Sequence, residues 1–151
     1  MKRVNFYSVK LVKESGKLYD IEEPLKNIVS PSSAFTIINE LLDMENMTKE
    51  HFVILTLGTK NNILGCHIVH VGALNSSIVH PREVFQLALL NNAATIMCFH
   101  NHPSGDSFPS REDINVTKRL KEAGLIIGIN LLDHIIVGRG EFTSLKEKGY
   151  C

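Results

Sequence analysis

The sequence has few cysteines, no net charge and no long apolar run, and each absence excludes a class of protein. Its three cysteines, Cys66, Cys98 and Cys151, are odd in number and lack the Cys-x-x-Cys spacing of a structural zinc site or a redox pair. Sixteen basic and sixteen acidic residues cancel, which argues against a primary nucleic-acid binder. No segment has the length of a membrane span or the apolar core of a signal peptide. We therefore expect reduced thiols, a cytoplasmic location and no membrane partner.

Several catalytic and cofactor motifs are also missing. There is no His-Glu-x-x-His helix of a thermolysin-like peptidase, and no His-x-Glu with Pro-Cys-x-x-Cys of a nucleobase deaminase. Neither a Walker A loop nor a Gly-x-Gly-x-x-Gly dinucleotide fingerprint is present. Nucleotide binding therefore has no support in the sequence.

The length and apolar content indicate one domain. A chain of 151 residues that is 44% hydrophobic can bury a single core but not two. We expect residues 1–30 to form an N-terminal extension with a strand or hairpin over Val4–Val12 and Leu18–Ile21, and residues 31–151 to form the main domain.

Apolar periodicity along residues 31–151 predicts alternating helices and strands. Helices are expected over Ser32–Met44, from Pro81, and over Ser110–Ala123, the last ending at Gly124 and burying Ile114, Thr117 and Leu120. Strands are expected over His51–Leu57, Ile63–Val71, Thr95–Phe99, Leu125–Ile129 and Leu131–Val137, with a loosely closing polar tail after Gly138. The pattern predicts a mixed α/β fold with a sheet flanked by helices.

The stretch His100–Asp113, HNHPSGDSFPSRED, has the pattern of a metal site. Side chains two apart on a strand point the same way, so His100 and His102 would face one ligand. Asp113 lies in the first turn of the following helix and can add a carboxylate oxygen. Two nitrogens and one oxygen suit zinc, and three protein ligands leave a fourth position open, as in catalytic zinc sites.

Other polar residues leave alternatives open. Ser110 and Asp113 also form an ordinary [ST]-x-x-[DE] capping box. Asp133 and His134 either orient a ligand histidine or form a hydrogen-bonded pair at a strand end. His67 and His70, three apart on a strand, would face opposite sides, which makes them poor partners for one metal.

The spacing His100-x-His102-x7-Ser110-x2-Asp113 resembles the signature of the JAMM (MPN-plus) zinc metallopeptidases. Around it, the stretches IVHPREVF, HNHPSGDSFPSREDINVTKRLKEAG and LLDHIIVG resemble the RadC-like branch of that superfamily, over roughly Ser32–Gly138. The resemblance implies an MPN (JAB, cytidine-deaminase-like) fold with a curved mixed sheet.

The resemblance also implies roles for single residues. His100, His102 and Asp113 would bind one Zn²⁺ per chain, and Ser110 would hydrogen-bond the water or stabilise the oxyanion. Glu50, just before the strand HFVILTL, occupies the place of the family's general base. The other acids considered for that role are Glu40, Glu45 and Glu83. Asn101, Ser104 and Asp106 are expected to form turns.

Three functions are compatible with the sequence. The favoured one is zinc-dependent hydrolysis of a peptide or isopeptide bond in a peptide or protein conjugate. A second is a binding module with a silent metal site. A third is a DNA-repair-associated factor, after the family's historical label, although the first thirty residues are not expected to hold the helix-hairpin-helix module of longer members. An N-terminal strand edge would allow a homodimer.

Overall fold

A five-stranded mixed sheet with helices on both faces forms the scaffold. The computed structural model describes residues 3–8, 10–16, 27–73 and 79–151. The elements are α1 (Pro31–Leu42), a short 3-10 turn (Met44–Asn46), β1 (His51–Leu57), β2 (Ile63–Val71), α2 (Pro81–Leu90), β3 (Thr95–Asn101), α3 (Arg111–Ile127), β4 (Asn130–Val137) and β5 (Phe142–Ser144). The strand order is β2-β1-β3-β4-β5, and only β3 and β4 run parallel. The predicted mixed α/β class is confirmed.

The sheet separates two apolar layers. On one face α2 and α3 pack over side chains such as Phe52, Ile54 and Cys98. On the other face α1 packs over Val53 and Leu55. Because β1 and β3 are covered on both sides, they consist of continuous apolar runs rather than alternating ones.

The predicted elements around these layers are largely confirmed. The bounds of β1 and β2 agree with the prediction, and α2 begins at Pro81. Ser30 and Ser33 form the capping box of α1, with Pro31 in the first turn. Strand β3 is the middle strand, and it runs two residues further than predicted. None of the helices among the described residues is long and apolar enough to cross a bilayer.

The predicted end of the third helix is wrong. Helix α3 continues past Gly124 to Ile127 and ends at Gly128, whose φ of 85° suits glycine. Gly124 serves close packing instead, since a Cβ there would lie 2.5 Å from the carbonyl oxygen of Ile129 and 3.2 Å from Phe85 Cζ. The strand predicted over Leu125–Ile129 is therefore wrong as well. Within α3, Thr117 and Leu120 are buried as expected, whereas Ile114 is half-buried.

The polar tail does not close the domain loosely, as predicted, but adds β5 to the sheet. The ring of Phe142 lies 5.1 Å from that of Phe35 on α1. The buried carboxylate of Asp133 accepts hydrogen bonds from Ser144 Oγ at 2.5 Å and from the Lys146 amide at 3.0 Å. A buried carboxylate needs such donors, and the tail supplies them.

The strand predicted over Val4–Val12 is wrong for its described residues. Residues 4–8 and 10–12 adopt no regular secondary structure, and the second segment, Leu18–Ile21, lies outside the described residues. Val4, Phe6 and Tyr7 are exposed, and no described strand pairs with this segment. The described sheet has its edges at β2 and β5, and the described residues of this segment add no strand to it.

A β-bulge in β2 overturns the prediction that His67 and His70 face opposite sides. His70 pairs with Phe52 and His67 pairs with Ile54, with an irregularity between these two pairs. Phe52 and Ile54 share a face, so the extra residue turns both histidines to that face. Both are half-buried, as expected for partly exposed strand positions.

We expect the substitution Gly124→Ala to destabilise the protein by about 2 kcal/mol, although alanine favours helix. The added methyl group would collide with the main chain of Ile129, which cannot rotate away. Urea unfolding measures the effect, and Asn115→Ala, at an exposed position of α3, is the matched control with a change within about 0.5 kcal/mol. A Gly124→Ala variant as stable as the wild type would contradict this account.

Candidate metal centre

Two elements bring the predicted ligands together. His100 lies near the end of β3 on the face covered by α2 and α3, opposite Phe52 of β1. His102 follows directly after the strand, and the loop 103–110 returns the chain to the start of α3, where Asp113 lies in the first turn. His100 and Asp113 are buried and His102 is half-buried. One potential ligand atom from each lies within 4.8 Å of the others.

The carboxylate of Asp113 connects the three residues. Its Oδ1 lies 2.8 Å from His100 Nδ1, and its Oδ2 lies 3.2 Å from His102 Nε2. Oδ2 also accepts a hydrogen bond of 2.6 Å from the Ser110 amide, and Ser110 Oγ accepts one of 3.1 Å from the Asp113 amide. The predicted capping box is therefore confirmed, and it uses the same carboxylate as the cluster.

These contacts set the ionisation of the cluster. Burial alone would raise the pKa of Asp113, but the hydrogen bonds from His100 and His102 outweigh burial and hold that pKa well below its usual range. The hydrogen bond to Asp113 raises the pKa of His102, against the opposing effect of burial. The centre is thus a buried anion between two imidazoles.

The residues fit a metal ion. Among the described residues none hydrogen-bonds the buried Nε2 of His100, a condition that a ligand would relieve. His102 Nδ1 donates to the carbonyl of Asp106 at 2.9 Å, which fixes the ring and leaves Nε2 facing the carboxylate. In the part of the chain that the structure describes, this is the one such group of three potential ligands. His100, His102 and Asp113 can therefore hold a metal ion.

Glu50 reaches the same centre from the neighbouring strand. It directly precedes β1, and its Oε2 lies 3.7 Å from His100 Nε2 with 32% of the side chain exposed. The other acids considered lie elsewhere: Glu45 accepts a hydrogen bond from the Gly140 amide, Glu83 is exposed on α2, and Glu40 is on α1 across the sheet. Glu50 is the one of the four with a contact to a ligand histidine.

The loop between the ligands is held by residues that the sequence did not reveal. The Ser107 amide donates to Glu141 at 3.0 Å, and Ser107 Oγ lies 3.0 Å from Thr143 Oγ1. Gly138 allows this close approach, because a Cβ there would lie 2.5 Å from the Gly105 carbonyl oxygen. The one available signal was the pair of glycines in the Gly-x-Gly turn after β4.

Two of the three residues that were expected to form turns do so. Ser104 Oγ accepts from the Asp106 amide and Asp106 accepts from the Phe108 amide, so both stabilise the loop as predicted. Asn101 does not form a turn, since it is the last residue of β3 and is buried.

Asp133 and His134 lie on opposite faces of β4, and neither bonds to a ligand histidine. His134 Nδ1 lies 2.6 Å from Thr117 Oγ1, and that hydroxyl donates to the main-chain carbonyl of Asp113 at 2.6 Å. Asp133 accepts from the His134 amide and binds the C-terminal tail. His134 thus supports the helical turn that carries Asp113, whereas Asp133 is structural.

Comparison with known families agrees with this geometry. The family model described as RadC-like JAB domain matches residues 28–150. The chain belongs to the RadC-like JAB domain family. Its relatives include UPF0758 protein YsxA of Bacillus subtilis (strain 168), 56% identical over 123 residues that make up 82% of this chain and 52% of the relative. A UPF0758 protein of Listeria monocytogenes serovar 1/2a is 65% identical over 139 residues, or 91% of this chain and 61% of the relative.

The chain matches only part of these family members. It spans between about half and three fifths of the length of the curated relatives it matches. The names of the relatives state no activity and no substrate. Membership of the RadC-like JAB family therefore shows the fold and leaves the reaction to be proposed.

We expect His134 to make stability fall as the pH is lowered. Burial lowers the pKa of His134 from 6.5 to about 3. Below pH 6.5 the unfolded chain takes up a proton here that the folded chain does not, so stability is lost between pH 6.5 and 3, by at most about 1.4 kcal/mol per pH unit. Urea unfolding in EDTA should show that His134→Asn, which keeps an amide donor toward Thr117, has a shallower pH slope than wild type. Parallel slopes would contradict the assignment.

Proposed function

We propose that the protein is a zinc-dependent hydrolase that cleaves peptide or isopeptide bonds. The observation that carries the proposal is the convergence of His100, His102 and Asp113 with the carboxylate of Glu50, 3.7 Å from His100 Nε2. Two nitrogens and one carboxylate form a ligand set that suits zinc and leaves a fourth position for water. A carboxylate beside such a position is what amide hydrolysis requires.

The proposed roles follow from what each side chain can do. Zinc at this centre would supply a water of pKa about 7 and polarise the carbonyl group of the substrate. Glu50 would take the proton of that water and return it to the leaving amine. Its partial exposure supports this role, because the carboxylate must meet both the centre and an arriving substrate.

Ser110 is proposed to stabilise the oxyanion. Its Oγ accepts a hydrogen bond from the Asp113 amide, and its hydroxyl proton can be donated to the substrate oxygen. Capping and catalysis are compatible, since the two roles use different hydrogen-bonding capacities of one hydroxyl group.

The substrate is proposed to be a peptide or a protein conjugate, and the setting to be the cytoplasm. The free thiols Cys66, Cys98 and Cys151 suit a reducing compartment. We further propose that residues 31–151 act as the hydrolase domain, with residues 1–30 as an extension. The two alternatives are a silent binding module and a DNA-associated factor, and they predict different effects of Glu50→Gln and different binding of DNA.

We expect one zinc ion per chain. Elemental analysis after purification without chelators should give a molar ratio near one, and the double substitution His100→Ala plus His102→Ala should abolish it, because a single carboxylate cannot retain the ion. The matched control is His67→Ala plus His70→Ala, which removes two imidazoles from β2 and should keep the zinc. Zinc that is absent from the wild type, or retained by the first variant, would refute the proposed centre.

We expect Glu50→Gln to keep zinc and lose hydrolysis. Glutamine has the same shape but cannot accept the proton, so cleavage of a panel of peptide and isopeptide-linked substrates should fall by about 10²- to 10⁴-fold. Glu83→Gln, at an exposed position of α2, is the matched control and should retain the wild-type rate. Equal behaviour of wild type and Glu50→Gln on every substrate would favour the silent module, and salt-sensitive binding of forked DNA would favour the DNA-associated factor.

A further inference from the structure

The side chain of Asn101 binds the main chain on both sides of Glu50. Its Nδ2 donates to the carbonyl oxygen of Lys49 at 3.0 Å, and its Oδ1 accepts from the amide of His51 at 2.7 Å. We propose that Asn101 is a positioning residue that holds Glu50 against the metal centre. This inference rests on the proposed function of Glu50 as the general base.

The position of Asn101 follows from the alternation of β3. His100 points to the face with α2 and α3, so the next residue, Asn101, points to the opposite face. Strands β1 and β3 are antiparallel with Phe52 opposite His100, which brings the segment just before Phe52 alongside Asn101. Consecutive residues of one strand thus provide a metal ligand and a support for the proposed base.

Asparagine has the side-chain chemistry that this pair of bonds needs. The carboxamide offers a donor and an acceptor side by side, which match a carbonyl and an amide two residues apart on the other chain segment. Aspartate would lack the donor, and leucine, of similar size, would lack both groups. Asn101 is 1% exposed, so water does not readily replace the lost bonds.

A third hydrogen bond restrains the same segment from the other side. The amide of Gly72, just after β2, donates to the carbonyl oxygen of Glu50 at 2.8 Å. The main chain around Glu50 is therefore restrained by β3 through Asn101 and by the end of β2 through Gly72. Glu50 directly precedes the first residue of β1, and the ends of strands open locally unless other contacts hold them. Small displacements of a catalytic group lower the rate strongly, which gives the restraint its function.

The first test uses the metal-free protein and amide hydrogen exchange by NMR. In Asn101→Leu we expect exchange to accelerate about tenfold at His51, which loses its acceptor, and also at Gly72, whose bond to Glu50 depends on the restrained segment. The matched control is Asn91→Leu, because Asn91 bonds Thr56 and His67 near the other end of β1. Unchanged exchange at Gly72, or equal acceleration in the control, would overturn the proposal. If Asn101→Leu does not fold, Asn101→Asp, which keeps the acceptor for His51 and removes the donor to Lys49, serves with the same expectation at Gly72.

The second test uses protein loaded with Co²⁺, whose visible absorption responds to charge and hydrogen bonding around the metal. We expect Glu50→Gln to shift the absorption band, Asn101→Leu to reproduce that shift with one Co²⁺ still bound, and the double variant to show no further shift. A wild-type spectrum in Asn101→Leu would overturn the proposal. If Glu50→Gln itself keeps the wild-type spectrum, Glu50 does not act on the metal environment and the positioning role fails. A wild-type protein that binds no Co²⁺ would refute the metal centre and with it the proposed hydrolase, whatever hydrogen exchange shows for the bonds of Asn101.

Discussion

The buried carboxylate of Asp113 is the contact on which the site depends. It lies between two imidazoles and accepts a hydrogen bond from the amide that opens α3. An isolated buried carboxylate would be unfavourable, so the loop, the start of α3 and the end of β3 stabilise one another through Asp113. The potential metal ligands are therefore also structural residues, and the site forms as part of the fold.

The arrangement of β1 beside β3 explains how the distant Glu50 joins this cluster. The two strands are antiparallel neighbours, so the start of β1 lies beside the end of β3, where His100 is. Fifty residues of sequence separate Glu50 from His100, but one strand spacing of about 5 Å separates their strands. A chain that supplied the same residues on unpaired loops would have to order each of them separately.

Local patterns predicted local features well. The bounds of β1 and β2, the capping boxes and the spacing of His100, His102 and Asp113 all follow from periodicity and hydrogen-bonding chemistry. The errors arose where tertiary contacts decide. Glycine is the residue type that commonly ends a helix, but Gly124 allows close packing against Ile129 instead. The bulge that turns His70 leaves no recognisable pattern in a single sequence. The bonds of Asn101 and Glu141 join residues far apart in the chain, which periodicity cannot detect.

The close contact between Gly138 and Gly105 couples the loop of the candidate metal site to the C-terminal end of the chain. The same hairpin that carries β5 also holds Ser107 through Glu141 and Thr143. If the centre binds a metal only with this loop in place, binding and docking of β5 would be linked, and each would favour the other by the same free energy. Under that condition, resistance of β5 to proteolysis would rise with occupancy of the centre.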